Sequence, residues 1–190
     1  MMILPVTTYG MPILRKKASE IKPGDFQLDE LIENMYETMY QSSGVGLAAP
    51  QVNLSSQLFI IDADPFTEYY KEAKGFKQEF INPKIIERSG KKWSFNEGCL
   101  SIPKINEDVI RLSNVKIQYY DKNFTFHENE YDGILARVIQ HEYDHLQGIL
   151  FIDHLSSIRK TLLKKKLNDI IKGNVKVDYK ILSAKNKYRK

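Results

Sequence analysis

Apolar residues recur at helical spacing in three stretches of the chain. Leu28, Leu31, Ile32, Met35 and Met39 mark one amphipathic helix, which Asp25 can cap and Gly44 can end in the left-handed conformation. Leu135, Val138, Ile139, Glu142 and Leu146 mark a second, introduced by Gly133 and stopped at Gly148. Leu162, Leu163, Leu167, Ile170 and Ile171 mark a third, from about 156 to 172, with Ser156 or Ser157 as cap, lysines on the other face and Gly173 at its end. Strands are expected at 57–63, which reads as buried, and at 79–87, as two short strands interrupted at Asn82-Pro83. Residues 115–120 and 125–131 alternate well enough to pair through Asp121, Lys122 and Asn123. Alternation at Val175, Val177, Tyr179 and Ile181 predicts a last strand before a disordered basic end.

The intervening stretches are poor in periodicity. Residues 1–24 hold Pro5, Pro12, Pro23 and Gly24 and read as an extended arm wrapping the core, and residues 64–76 read as a long polar surface loop. No internal repeat is visible. The elements predict an α+β fold: small antiparallel or mixed sheets packed around a central second helix, with one helix N-terminal and one C-terminal to it. Residues 1–173 are expected to form a single catalytic domain and 174–190 a basic extension.

Composition narrows this picture. At 190 residues, 42% hydrophobic and 27% charged, the chain can bury a sizeable core as a soluble globular protein. No apolar run approaches the roughly 20 residues that span a bilayer, and residues 1–8 lack the basic start and the small-residue site of a signal peptide. A cytoplasmic location is expected, with no membrane and no DNA as partner. The one cysteine, Cys99, cannot form an internal disulfide and is left for burial, metal binding or nucleophilic work. The net charge of +4 is unevenly spread: twelve Lys or Arg stand against two Asp from Arg159 to Lys190. Such a tail is either a solvated terminus or a contact for a polyanion.

The second helix carries the chemistry. Within Gln140-His141-Glu142-Tyr143-Asp144-His145, the two histidines are four residues apart, so on a helix they differ by about 40° around the axis and point toward one metal ion. Glu142 sits beside them, within reach of a water molecule. A catalytic metal site needs at least one more protein ligand. Asp153 and His154 lie just past Gly148, and Cys99 is the other candidate, its thiolate stabilised by a cation. A separate run, Gly44-Val45-Gly46-Leu47-Ala48-Ala49-Pro50-Gln51, matches the dinucleotide-binding pattern of spaced glycines in letters but not in context, since it follows a helix and meets Pro50. It is either a tight turn or a segment that lets a ligand backbone come close.

Together with Glu97-Gly98-Cys99-Leu100-Ser101, these two stretches resemble the three signature motifs of the peptide deformylase family, in the family's order. The resemblance covers nearly the whole chain and is closest to the bacterial type with a C-terminal helix. It implies that Cys99, His141 and His145 bind one divalent metal, usually Fe(II) and replaceable by zinc, nickel or cobalt. It also implies that Glu142 acts as general base and then acid, and that the Gln51 amide and the Leu100 backbone N–H stabilise an oxyanion. The implied substrate is the N-formylmethionyl end of a nascent polypeptide, its backbone extended along residues 44–47. Val45, Gly46, Gly98, Ile134 and Val138 are the expected substrate-binding residues, with Val45, Ile134 and Val138 near the methionine side chain or, for Ile134 especially, in the core. The basic tail then invites a contact with the ribosome. Two other classes compete: an HExxH metallopeptidase cutting internal peptide bonds, which leaves Cys99 and residues 44–51 unexplained, and a non-enzymatic RNA-binding module, which explains only the tail.

Overall fold

The computed structural model describes residues 2–24 and 27–187. In chain order its elements are β1 (Val6–Thr7), α1 (Leu28–Gln41), β2 (Gly46–Ala48), β3 (Leu58–Asp62), β4 (Lys77–Gly98), β5 (Asn106–Tyr120), β6 (Phe126–Asp132), α2 (Gly133–Leu146), α3 (Ser157–Ile171), β7 (Ile181–Leu182) and α4 (Ala184–Lys187). The fold is α+β. Strands β2 to β6 form one antiparallel sheet in sequence order, and β1 pairs in parallel with β7.

Strand β3 explains how the sheet is sandwiched. Successive side chains of a strand point to opposite faces, and here both faces are covered. Leu58 and Ile60 pack with Ile32, Met35, Tyr36 and Met39 of α1, whereas Phe59 and Ile61 pack with Ile134, Leu135, Val138 and Ile139 of α2. Burial on both sides accounts for the unbroken apolar run Leu-Phe-Ile-Ile. A third cluster joins α3 to the chain around the β4–β5 turn through Ile102, Ile105, Val109, Phe151, Leu163, Leu167 and Ile170.

Several expectations change in detail. The cap expected at Asp25 lies outside the described residues. Helix α1 ends one residue earlier than Gly44 requires, and Ser43 rather than Gly44 adopts the left-handed conformation (φ 56°). Residues 77–98 form one bent strand, not separate pieces. Pro83 cannot donate a ladder hydrogen bond, but Asn82 takes φ 49° and the register shifts between Ile81 and Lys84, so the strand resumes beyond the bulge. The Asn82 side chain also secures the N-terminal arm, accepting from Ile21 N–H at 2.8 Å and donating to Ile21 O at 2.7 Å.

Strand β5 begins at Asn106, nine positions before the expected start at 115. Its first half looks polar because two of its inward-facing residues, Glu107 and Arg111, are charged and paired inside the protein. The expected strand over 175–181 is absent apart from Ile181: residues 174–180 are irregular, and Ile181 with Leu182 forms the short β7. A helical turn, α4, follows, and residues 188–190 of the expected disordered end lie outside the described residues. Among the described residues no helix is long and apolar enough to cross a membrane.

Candidate active site

The end of β4 and the last two turns of α2 meet at the floor of a cleft of about 630 Å³. Cys99 follows directly on β4 in a turn closed by Ile102 N–H to Cys99 O at 2.9 Å. His141 and His145 share one face of α2, their ring centroids 5.2 Å apart. Cys99 Sγ lies 3.3 Å from His145 Nε2, and one ligand atom from each of Cys99, His141 and His145 falls within 4.8 Å of the others. Among the described residues this is the one such group of three that could hold a metal ion. Its donors, one thiol and two imidazoles, suit a first-row transition metal. Burial pushes the Cys99 thiol up, but the His145 charge and hydrogen bonds from His141 and His145 outweigh it and bring it down to about 5. A thiolate, the form that binds metal, is therefore favoured at neutral pH.

The alternative third ligands are engaged elsewhere. Asp153 pairs with Arg15 at 2.5 Å, and His154 Nε2 lies 2.8 Å from Asp144 Oδ2.

Behind the cluster runs a chain of buried charges. Glu97, 4% exposed, accepts from Arg111 Nε at 2.7 Å, Arg111 Nη2 at 3.1 Å, Arg137 Nη1 at 2.8 Å and His141 Nδ1 at 2.9 Å. Arg111 Nη1 continues to Asp144 Oδ2 at 2.6 Å. Burial would raise the Glu97 carboxyl, but hydrogen bonds from His141 and Arg111, with their charges, hold it well below the usual carboxylate range. An ionised carboxylate only accepts, so it keeps a proton on His141 Nδ1, and with a metal bound Nε2 would be the ligand atom. Arg137 also donates to Val109 O at 3.0 Å and to Trp93 O, and its guanidinium lies over the Trp93 ring.

Glu142, also 4% exposed, turns toward β2, and its Oε2 is buried without a partner among the described residues. Burial pushes its carboxyl up to about 7, against the charges of His141 and His145. Such a group can take up and return a proton near neutral pH. Gln51, in the short turn after β2, is fixed by its own Oε1, which accepts from Ala48 N–H at 2.8 Å. Its Nε2 points to Ser101 Oγ at 3.2 Å and Cys99 Sγ at 3.4 Å. The Leu100 backbone N–H has no acceptor among the described residues.

The residues singled out from sequence converge, with one exception. Val45, Gly46, Gln51, Gly98, Cys99, Leu100, Val138, His141 and Glu142 line the cleft, and His145 is buried just beneath it. Ile134 is fully buried between α2 and the sheet and does not line the cleft. Sequence reasoning alone assigns no part to Arg111, Arg137, Asp144 or Tyr179 and takes in Glu97 only as a motif letter. The charged ones carry a weak signal because single charged residues at strand and helix positions read as surface, and Tyr179 reads as one position of an alternating strand.

This arrangement can be set beside known proteins. The family model of polypeptide deformylase matches residues 3–161. A peptide deformylase of Flavobacterium psychrophilum is 52% identical over 187 residues, covering 95% of this chain and 96% of the relative. One of Cytophaga hutchinsonii is 47% identical, covering 95% and 97%. Among solved structures, a Plasmodium falciparum peptide deformylase superposes with a TM-score of 0.79 at 40% identity, over 88% of this chain and 95% of that one. Arabidopsis thaliana peptide deformylase 1B, in complex with an inhibitor, gives 0.80 at 34% identity over 90% and 92%. With the three motifs gathered in one cleft and the match running nearly end to end, the chain belongs to the peptide deformylase family.

Proposed function

We propose that this protein removes the N-formyl group from the N-terminal formylmethionine of nascent polypeptides, releasing formate, with Fe(II) as its native metal and the cytoplasm as its place of work. The observation that carries this reading is the cleft floor, where Cys99, His141 and His145 gather beside the carboxyl of Glu142 and the amide of Gln51. A divalent cation held by the first three would supply Lewis-acid chemistry, bringing the pKa of water from about 15.7 toward 7.

The chain's own groups do the rest. Glu142 takes the proton of the attacking water and returns it to the leaving amine nitrogen. As the formyl carbon becomes tetrahedral, Gln51 Nε2 and the Leu100 N–H donate to its oxygen. Glu97 and, through it, Arg111 keep His141 in the tautomer that offers Nε2 inward. The substrate backbone lies extended along Val45 and Gly46, because β2 is the edge strand of the sheet and has an unpaired side for a peptide to join. The apolar part of the cleft near Val45 and Val138 receives the methionine side chain.

Basic residues from Arg159 onward assist by holding the enzyme near ribosomal RNA. Exposed Lys164, Lys165 and Lys166 on α3 are the place to test this. Changing all three to Gln leaves formate release intact and weakens ribosome co-sedimentation at low salt; unchanged co-sedimentation rejects the contact. The reaction itself is tested by offering a formyl-Met peptide and an unformylated peptide with internal bonds, under conditions that keep Fe(II) reduced. Formate without new internal amines is expected. Internal cleavage without formate would instead support a metallopeptidase.

A further inference from the structure

The loop at 64–76, which reads from sequence as polar surface, turns Phe66, Tyr70 and Ala73 inward against the core cluster that α2 shares with the sheet. Its base is closed: Ala63 N–H donates to Phe76 O at 2.9 Å, and Asp64 Oδ1 accepts from Gly75 N–H at 2.9 Å and from Thr67 Oγ1 at 3.3 Å. The Phe66 ring makes T-shaped contacts with Tyr70 (centroids 6.2 Å apart, planes at 89°) and with Phe95 (6.4 Å, 82°). Phe66 and Phe95 both line the cleft, whereas Tyr70 does not. Phe66 is thus braced on a ring outside the cleft and faces it together with Phe95.

The place of Phe95 follows from β4. Side chains two apart on a strand share a face, so Phe95 lies next to Glu97, which meets His141 Nδ1 at 2.9 Å. Val138 stands three residues before His141, on the same side of α2. Phe95 and Val138 therefore flank His141, one along the strand and one along the helix, and Phe66 carries the apolar surface on from Phe95. The chain after α3 forms another wall through Tyr179.

We propose that Phe66 is a specificity-determining residue for deformylation: its ring closes the apolar part of the cleft and limits the size of the first side chain of the formylated peptide. The proposal rests on the reading that the cleft near Val45 and Val138 receives that side chain. An aromatic wall suits a thioether, because sulfur makes favourable contacts with ring edges and an unbranched chain bends to fit a fixed surface. A bulkier first side chain runs into the ring.

Phe66→Ala enlarges the pocket and leaves Glu142, Gln51 and the three metal-ligand residues unchanged. Metal-loaded protein is given N-formylmethionyl and N-formylphenylalanyl tripeptides that are otherwise identical. For the methionyl peptide kcat/KM is expected to fall about tenfold or more, as for lost apolar contacts in a pocket, while the phenylalanyl peptide loses less or gains. The preference for methionine should then drop about fivefold or more. Because the preference compares two substrates on one enzyme sample, lost folding and lost metal cancel. A smaller change overturns the proposal, an equal fall for both peptides included, since that is what a purely structural part for Phe66 would give. Should Phe66→Ala fail to fold, Phe66→Leu retains apolar packing and must lower the preference by about twofold or more. Tyr69 is 75% exposed on the same loop, and Tyr69→Ala should keep the wild-type preference; an equal drop there assigns the effect to the loop as a whole and rejects Phe66. Wild-type protein that releases no formate overturns the deformylase reading itself, whereas an active wild type with an unaltered preference in Phe66→Ala rejects only the part given to Phe66.

Discussion

Glu142 occupies the space that a side chain on Gly46 would need: a Cβ built there would lie 2.5 Å from Glu142 Oε1 and 2.8 Å from Glu142 Cγ. The absence of a side chain at Gly46 is thus tied to the carboxylate on the facing helix, as well as to the approach of a peptide backbone.

Gly46→Ala therefore tests the place of Glu142 without altering its chemistry. Because Glu142 is buried and its Cγ is as close as its carboxyl carbon, the whole side chain must move. Formate release should fall about 10²-fold or more, in the range of a lost general base, with metal content unchanged. Activity within threefold of wild type would show that the carboxyl position is not critical.

Gln51→Ala removes one of the two proposed oxyanion donors. A decrease of about 10²- to 10³-fold in kcat is expected. Since the Gln51 Oε1 bond to Ala48 N–H is lost as well, Gln51→Glu serves as a comparison that retains an acceptor for that N–H and lacks the donor. If Gln51→Glu turns over like wild type, the amide N–H is not needed.

Glu97→Gln keeps the shape of the side chain and removes the charge that holds Arg111, Arg137 and the His141 Nδ1 proton. Zinc affinity, measured by competition with a chromogenic chelator, should weaken about 10- to 100-fold. Equal affinities in the two proteins would mean that Glu97 supports the fold but not the ligand.

Asp144→Asn yields a prediction about pH. Burial would raise the Asp144 carboxyl, but the hydrogen bond from His154 and the Arg111 charge lower it. A carboxylate lowered in the folded state stabilises the protein above its unfolded value, and that contribution is lost as the pH falls through the folded value. Wild type should exceed Asp144→Asn by about 1.5 to 3 kcal/mol in urea unfolding at pH 7, the worth of hydrogen bonds to a charged group. The gap should narrow as the pH falls below about 4, the ordinary carboxylate value. An unchanging gap would assign the difference to packing.

The histidine spacing and the lone cysteine were legible because a metal needs particular donors, whatever the surrounding fold. Helix positions were legible where one face is apolar, as in α1 and α2. Strand β5 was only half legible, because its inward face at Glu107 and Arg111 is charged and the partners that neutralise it, Arg159 and Glu97, are distant in sequence. The irregular segment around Tyr179 read as a strand since Val175, Val177, Tyr179 and Ile181 alternate. There the alternation marks side chains turned toward α3 and the cleft, with no neighbouring strand until β7.

The pairing of β1 with β7 has a consequence for when the enzyme becomes complete. Thr8 and Leu182, which hydrogen-bond across it, are 174 positions apart. Contacts of such separation cost more loop-closure entropy than local ones, and during synthesis they wait for the later residue to be made. During synthesis the sheet, α1 and α2 can assemble while the end of the chain is still being made, but the wall containing Tyr179 cannot be set in place until residue 182 has emerged. In a molecule still being made, Cys99, His141 and His145 therefore emerge before the residues that close this side of the cleft.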